Sequence, residues 1–158
     1  MDKTSKIFLT FLIVFGLQTF GQKDEQFVDK SFLIIASTKD LADAFKIAKT
    51  AAQKTGIMFR DNKLQIDKID GVTFPADTCK RAGFDFPCYV ARGRYDDGNY
   101  LSVEYSNRYE GFQKGLFIVI AASGYKDDKE LKQTLKKVRQ TYPESYIKRT
   151  NVYIGCIH

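Results

Sequence analysis

Two stretches of this chain carry the same pattern, and that repetition narrows the fold more than any other feature. Residues 32–37, with Phe32, Leu33, Ile34 and Ile35, and residues 116–123, with Phe117, Ile118, Val119 and Ile120, are apolar, β-branched runs of buried-strand length. Each is followed by a segment with helical periodicity. After the first, Leu41, Ala44, Phe45, Ala48 and Ala52 share one stripe, with Lys39, Asp43, Lys46, Lys49 and Gln53 outside it. Ser37 and Asp40 supply a capping-box-like start and Gly56 a stop. After the second, Leu131, Leu135, Val138 and Tyr142 mark the stripe, Asp127 and Glu130 open it, and Pro143 breaks it.

Each helix returns to an extended piece, residues 57–59 in the first unit and 145–148 in the second, and residues 151–157 form a last one. Two βαβ-like units in tandem, each with one apolar helical stripe to bury, predict an α+β fold. Its expected form is a ferredoxin-like split βαβ, an antiparallel sheet backed by two helices.

Between the units, residues 61–115 form an expected insertion. Residues 61–87 hold Gly71, Pro75, Gly83 and Pro87 and read as a loop. Residues 89–95 and 100–105 are strand-like, and Asp96, Asp97, Gly98 and Asn99 between them have turn chemistry, which predicts an inserted β-hairpin.

Lys3 and Lys6 lead into the apolar run 7–17, with small residues at Thr19 and Gly21. A basic start, a short apolar run and small residues at the end are the parts of a secretory signal peptide over residues 1–21. The run is well short of the roughly twenty residues that cross a bilayer, so stable membrane insertion is not expected. The expectation is an exported protein, periplasmic or secreted, with residues 22–158 as a single domain. Loss of Lys3, Lys6 and Asp2 with that segment lowers the formal charge from +6 to about +5. Charges of both signs alternate along most of the chain, which argues against nucleic acid as the partner.

Three cysteines lie beyond residue 21: Cys79, Cys88 and Cys156. They allow three pairings, and in an oxidising compartment closeness in sequence favours Cys79 with Cys88. Cys156 and His158 share a face of an extended end, with the spacing of a thiol and base or of two ligands completing a Cys3His site with Cys79 and Cys88. Export favours the disulfide over either, and the spacing matches no metal motif, so no metal and no cofactor are expected. His158 is the only histidine and ends the chain, a poor foundation for a Ser-His-Asp triad. The acid pairs Asp96 with Asp97 and Asp127 with Asp128 suit a turn and a helix start, and no glycine-rich phosphate loop is present. No residue set nominates an enzyme.

What remains is a cluster of rings and forked donors in and beside the hairpin: Tyr89, Tyr95, Tyr100, Tyr105, Tyr109 and Phe112 with Arg92, Arg94 and Arg108. Flat rings stack on sugar faces, and guanidinium groups bind hydroxyls or carboxylates. The candidate ligand-binding residues are therefore Tyr89, Arg92, Arg94, Tyr95, Tyr100, Tyr105 and Arg108. A plainer use of Glu104 and Arg92 or Arg94 is a cross-strand surface salt bridge.

Over residues 30–60 and 114–157 the paired strand-helix-strand pattern resembles the sporulation-related repeat, or SPOR, domain. The family's strand ends in Gly and an aromatic residue. The second repeat has Gly124 and Tyr125 a little late, and the first has residues 35–38 instead. The resemblance implies an exported, noncatalytic module that binds cell-wall peptidoglycan through its sheet. An exported or envelope protein is the alternative partner, as for an inhibitor or toxin-neutralising (immunity) protein that uses the same hairpin.

Overall fold

A computed structural model describes residues 26–155. The expected signal peptide at 1–21, together with Cys156 and His158, lies outside the described residues. Six strands and three helices follow one another in the order β1 (Phe27–Thr38), α1 (Leu41–Thr55), β2 (Gln65–Asp67), β3 (Gly71–Thr73), α2 (Ala76–Arg81), β4 (Ser102–Tyr105), β5 (Phe117–Tyr125), α3 (Lys129–Val138) and β6 (Tyr146–Tyr153). Four of the strands form an antiparallel sheet in the order β4-β5-β1-β6, and β2 pairs with β3 as a separate antiparallel hairpin. The fold is α+β.

Alternation along the central strands sends side chains to two different cores. Leu33 and Ile35 of β1, Val103 of β4, and Phe117, Val119 and Ala121 of β5 pack against Ala44, Ala48 and Ala51 of α1 and Leu131 and Val138 of α3. Phe32 and Ile34 of β1, Ile118 and Ile120 of β5, and Val152 of β6 meet Tyr109 and Phe112 on the opposite face. The alanines on α1 bring that helix close to the sheet, and a larger residue at any of the three would push it away. Against β5, the register of β1 shifts between Leu33 and Ala36, an irregularity of the β-bulge kind.

The two expected helices begin near their sequence signals, and α1 ends at its own, whereas α3 ends at Val138, short of Tyr142 and the expected breaker Pro143. Asp40 caps α1, its Oδ1 accepting from the Asp43 N–H at 2.8 Å, and Gly56 closes the helix in the left-handed region at φ 71°. Ser37 has no part in this cap; Thr38 Oγ1 accepts from the Asp40 N–H instead. For α3 the cap is Asp128, which accepts from the N–H groups of Glu130 and Leu131. Asp127, one residue earlier, turns the chain into the helix at φ 64°.

Four expectations are corrected. Residues 57–59 do not return as a strand: Phe59 makes one isolated parallel bridge to Leu101, and the strand that completes the first unit is β4. The pieces expected at 145–148 and 151–157 are one strand as far as they are described, because the β1–β6 ladder runs unbroken through Ser31 with Arg149 and Lys30 with Thr150. The hairpin of residues 89–105 does not form, since only Ser102–Tyr105 is a strand and its partner is β5. Residues 89–95 instead turn tightly, with the Gly93 N–H donating to the Asp96 carbonyl and the Arg94 N–H to the Ala91 carbonyl. Gly93 is required at that turn: its φ is 87°, and a Cβ there would lie 2.8 Å from Cζ of Phe32. Residues 61–87, expected as loop, also differ: they hold the β2–β3 hairpin, whose turn Asp67 closes, and the helix α2.

Cys79 and Cys88 form the disulfide that their spacing favoured, with Cα atoms 5.7 Å apart. Among the described residues, no helix is long and apolar enough to cross a membrane.

Candidate functional site

The expected binding cluster is divided between the interior and two surface patches. Glu104 is 4 % and Arg92 3 % exposed, on the sheet face away from the helices. Ala91, Arg92 and Gly93 lie over that face, Ala91 against its core and Gly93 against Phe32, and the Arg92 guanidinium ties this segment to the sheet. Its Nη1 donates to the Tyr100 and Ile120 carbonyls and to Ser102 Oγ, its Nη2 to the Gly98 carbonyl at 2.7 Å, and its Nε to Ser123 Oγ at 3.1 Å. The Tyr100 ring is held between two guanidiniums, with the Arg92 carbon 3.6 Å and the Arg60 carbon 3.8 Å from its centroid. Two cations that close to one centroid must occupy opposite faces of the ring. The Tyr100 hydroxyl donates to Asp96, which also pairs with Arg60.

Glu104 forms no surface salt bridge with either arginine. Its Oε2 accepts from the Tyr89 hydroxyl, from the Tyr109 hydroxyl at 3.3 Å and from the Arg92 backbone N–H. Burial pushes the Glu104 carboxyl above its ordinary range. Burial, and then the charge of Glu104, pushes the Tyr89 and Tyr109 phenols far above theirs. Desolvation lowers the Arg92 pKa from its usual value. Glu104, through Oε2, and the Arg92 guanidinium, through five hydrogen bonds, are buried in contacts that hold the covering segment in place.

Tyr89, Arg92 and Tyr100 are thus parts of the fold, and the sheet face expected to recognise a ligand is roofed by the chain itself. Tyr105, half-buried on the helix side, packs on Phe117 with ring centroids 5.3 Å apart. Arg94 and Tyr95 stand together at one edge, where the Arg94 guanidinium lies 4.7 Å from the Tyr153 ring and 5.3 Å from that of exposed Tyr95. Phe27 joins them, 5.2 Å from Tyr153. Arg108 is exposed at the other end and pairs with Asp70.

The insertion builds a surface that residue-type reasoning missed. Asp67 Oδ2 accepts from the N–H groups of Ile69 and Asp70 at 2.8 and 2.7 Å, closing the turn between β2 and β3. Those two backbone bonds hold the Asp67 carboxyl below its usual range. The turn leaves Ile69 88 % exposed, with Ile66 and Phe86 also exposed. A cleft of about 450 Å³ is lined by Asp70, Phe84, Asp85, Pro87, Tyr89 and Arg108. Ile69 and Phe86 are chain neighbours of the lining residues Asp70, Asp85 and Pro87. The Cys88 N–H donates to Thr73 Oγ1 and the Phe74 N–H to the Cys88 carbonyl, fixing the disulfide loop to β3. The available signal was Ile69 itself, an apolar residue set between Asp67, Lys68 and Asp70.

Comparison with known proteins finds no matching family model, no matching curated protein and no matching solved structure.

Proposed function

We propose that this chain is an exported, noncatalytic binding module that engages a protein partner through its disulfide-pinned insertion. One observation carries the reading: Ile66, Ile69 and Phe86 are exposed on an insertion whose disulfide loop is tied to β3, while the sheet face away from the helices is already covered. Apolar anchors held rigid before contact lose little conformational freedom on binding, and each contributes about 1.5–3 kcal/mol when fully buried. The disulfide supports export, because such bonds persist in oxidising compartments. An inhibitor or toxin-neutralising protein would present such a tip.

The test is capture of a single envelope or secreted protein that withstands salt, is lost in Ile69→Asp with Phe86→Ser, and is kept in Tyr95→Ala. Capture that ignores the tip substitutions refutes the proposal.

A second reading, cell-wall glycan binding, is favoured by the exposed Tyr95 beside Arg94, Tyr153 and Phe27, a row of rings able to stack on sugars. It predicts that the protein pellets with insoluble peptidoglycan and that Tyr95→Ala abolishes this. The order of the four sheet strands, second-third-first-fourth along the chain with a helix after the first and third, supports the ferredoxin-like split βαβ. The likeness to the sporulation-related repeat rests on that same pairing. In this chain the sheet platform would have to give way to the Tyr95 edge.

A further inference from the structure

A second surface, remote in purpose from the insertion's tip, lies along α1. Ala42, Lys46, Lys49 and Gln53 recur at helical spacing on one face of α1 and line a groove of about 670 Å³. Its other wall is the segment 61–65, with Lys63 and Leu64 lining it, and Phe45 lies at the base of the helical side. Leu64 is buried, and Phe45 packs edge-on against Phe59 at 6.1 Å, so the floor is firm and apolar. The far wall is fixed too. Asn62 Nδ2 donates to the Val103 carbonyl of β4, and Asp61 Oδ1 accepts from the N–H of Lys63, which holds a left-handed backbone at φ 51°.

The groove carries an excess of positive charge, three lysines against the single acid Asp61. Lys46, Lys49 and Lys63 take part in none of the ion pairs among the described residues, whereas Lys30, Arg60, Arg81, Arg108, Lys132 and Arg149 all do. Asp61, the acid in the lining, already accepts from a backbone N–H. Three ammonium groups over an apolar floor complement an occupant that is anionic and partly apolar. The distance along α1 from Ala42 to Gln53 is about 16 Å at 1.5 Å per residue, which an extended peptide of about five residues spans.

We infer that this groove is a docking site for an acidic, extended peptide segment, its carboxylates against Lys46, Lys49 and Lys63 and its apolar side chains on Phe45 and Leu64. The site is independent of the proposed use of the insertion's tip.

The test uses the full chain lacking residues 1–21 and a fluorescein-labelled pentapeptide of alternating Glu and Leu, followed by fluorescence anisotropy at low and physiological salt. Saturable binding is expected, weakened at least about fivefold by Lys46→Glu with Lys49→Glu, given that exposed ion pairs are individually modest. The charge-matched pair Lys136→Glu with Lys137→Glu on α3 should change it less than twofold, and Phe86→Ser should leave it intact. Equal loss in both double variants would reduce the effect to net charge and overturn the site. So would binding to phosphatidylglycerol vesicles with none to the peptide.

Discussion

Replacing Arg92 by Met keeps the length and the apolar stem of the side chain and deletes its fork. Five hydrogen bonds go with it, three of them to the backbone carbonyls of Gly98, Tyr100 and Ile120, along with the stack on Tyr100. A bond to a charged group contributes about 1.5–3 kcal/mol, and a buried acceptor left unpaired costs about 1–3 kcal/mol. Relief from burying a guanidinium offsets part of this, so the net loss is about 3–5 kcal/mol, the range for removing one member of a buried charged network. Domains of this size have total stabilities of about 5–15 kcal/mol, so the variant would lose about a fifth or more of the folded state's margin. Urea denaturation followed by tyrosine fluorescence measures this directly. Arg92→Lys, which keeps the charge without the fork, should recover less than half of the loss. The nearby Arg94→Met should cost about 1.5 kcal/mol, the lower end of that range, because Arg94 is half-buried and its bond is a single one, to the Gly155 carbonyl. A loss below about 1 kcal/mol for Arg92→Met, or equal losses at the two positions, would refute the assignment of Arg92 as the tie between cover and sheet.

Stability should also depend on pH through the buried acid. Because burial raises the Glu104 carboxyl above its ordinary 4.5, its contribution is fully present below pH 4.5 and is lost as pH rises through the folded-state value. Glu104→Gln should flatten that decline in urea titrations run at successive pH values, and an unchanged slope would exclude Glu104 as its source. The raised phenols of Tyr89 and Tyr109 act the same way at the alkaline end, holding stability below pH 10.0 and losing it above; Tyr89→Phe should soften the alkaline transition seen by circular dichroism. Gly93→Ala should destabilise by about 2 kcal/mol, since it combines a positive φ with a Cβ 2.8 Å from Phe32; an unaltered melting temperature would show the turn to be more forgiving. Cys79→Ser with Cys88→Ser should cost about 2–3 kcal/mol for so short a loop, and should open the bonds near Phe86 to protease before the rest of the chain unfolds.

The elements legible in the sequence were those whose signals are local. The runs around Ile34 and Val119 were apolar enough to be strands in any setting, and Asp40 and Gly56 marked the first helix within its own span. Residues 89–95 failed for the opposite reason. Tyr89 and Arg92 have strand propensity, yet burial against Glu104 and three backbone carbonyls outweighs a propensity scale of about 1 kcal/mol. Strand β4 was visible as Ser102–Tyr105, but its partner was assigned by proximity in the chain rather than by the longer, more apolar β5. Residue type predicted one gathering of arginine and tyrosine, and the chain divides them instead, with Arg92 and Tyr100 buried, Tyr105 on the helix side, Arg94 and Tyr95 at one edge and Arg108 beside Asp70. Whether such a gathering faces solvent or the protein's own sheet depends on what the loop between them covers, which sequence spacing does not encode. The short β2–β3 hairpin and α2 were hidden by the Gly and Pro residues that made their segment read as loop.

The roof over the sheet also changes how any mutational survey of this chain should be interpreted. A screen that scores only lost capture of a target will rank Arg92, Tyr100 and Glu104 highly, because their removal depletes the native population rather than the affinity of each native molecule. Separating the two requires abundance to be measured beside capture for every variant, with substitution of Ile69 expected to reduce the second while sparing the first.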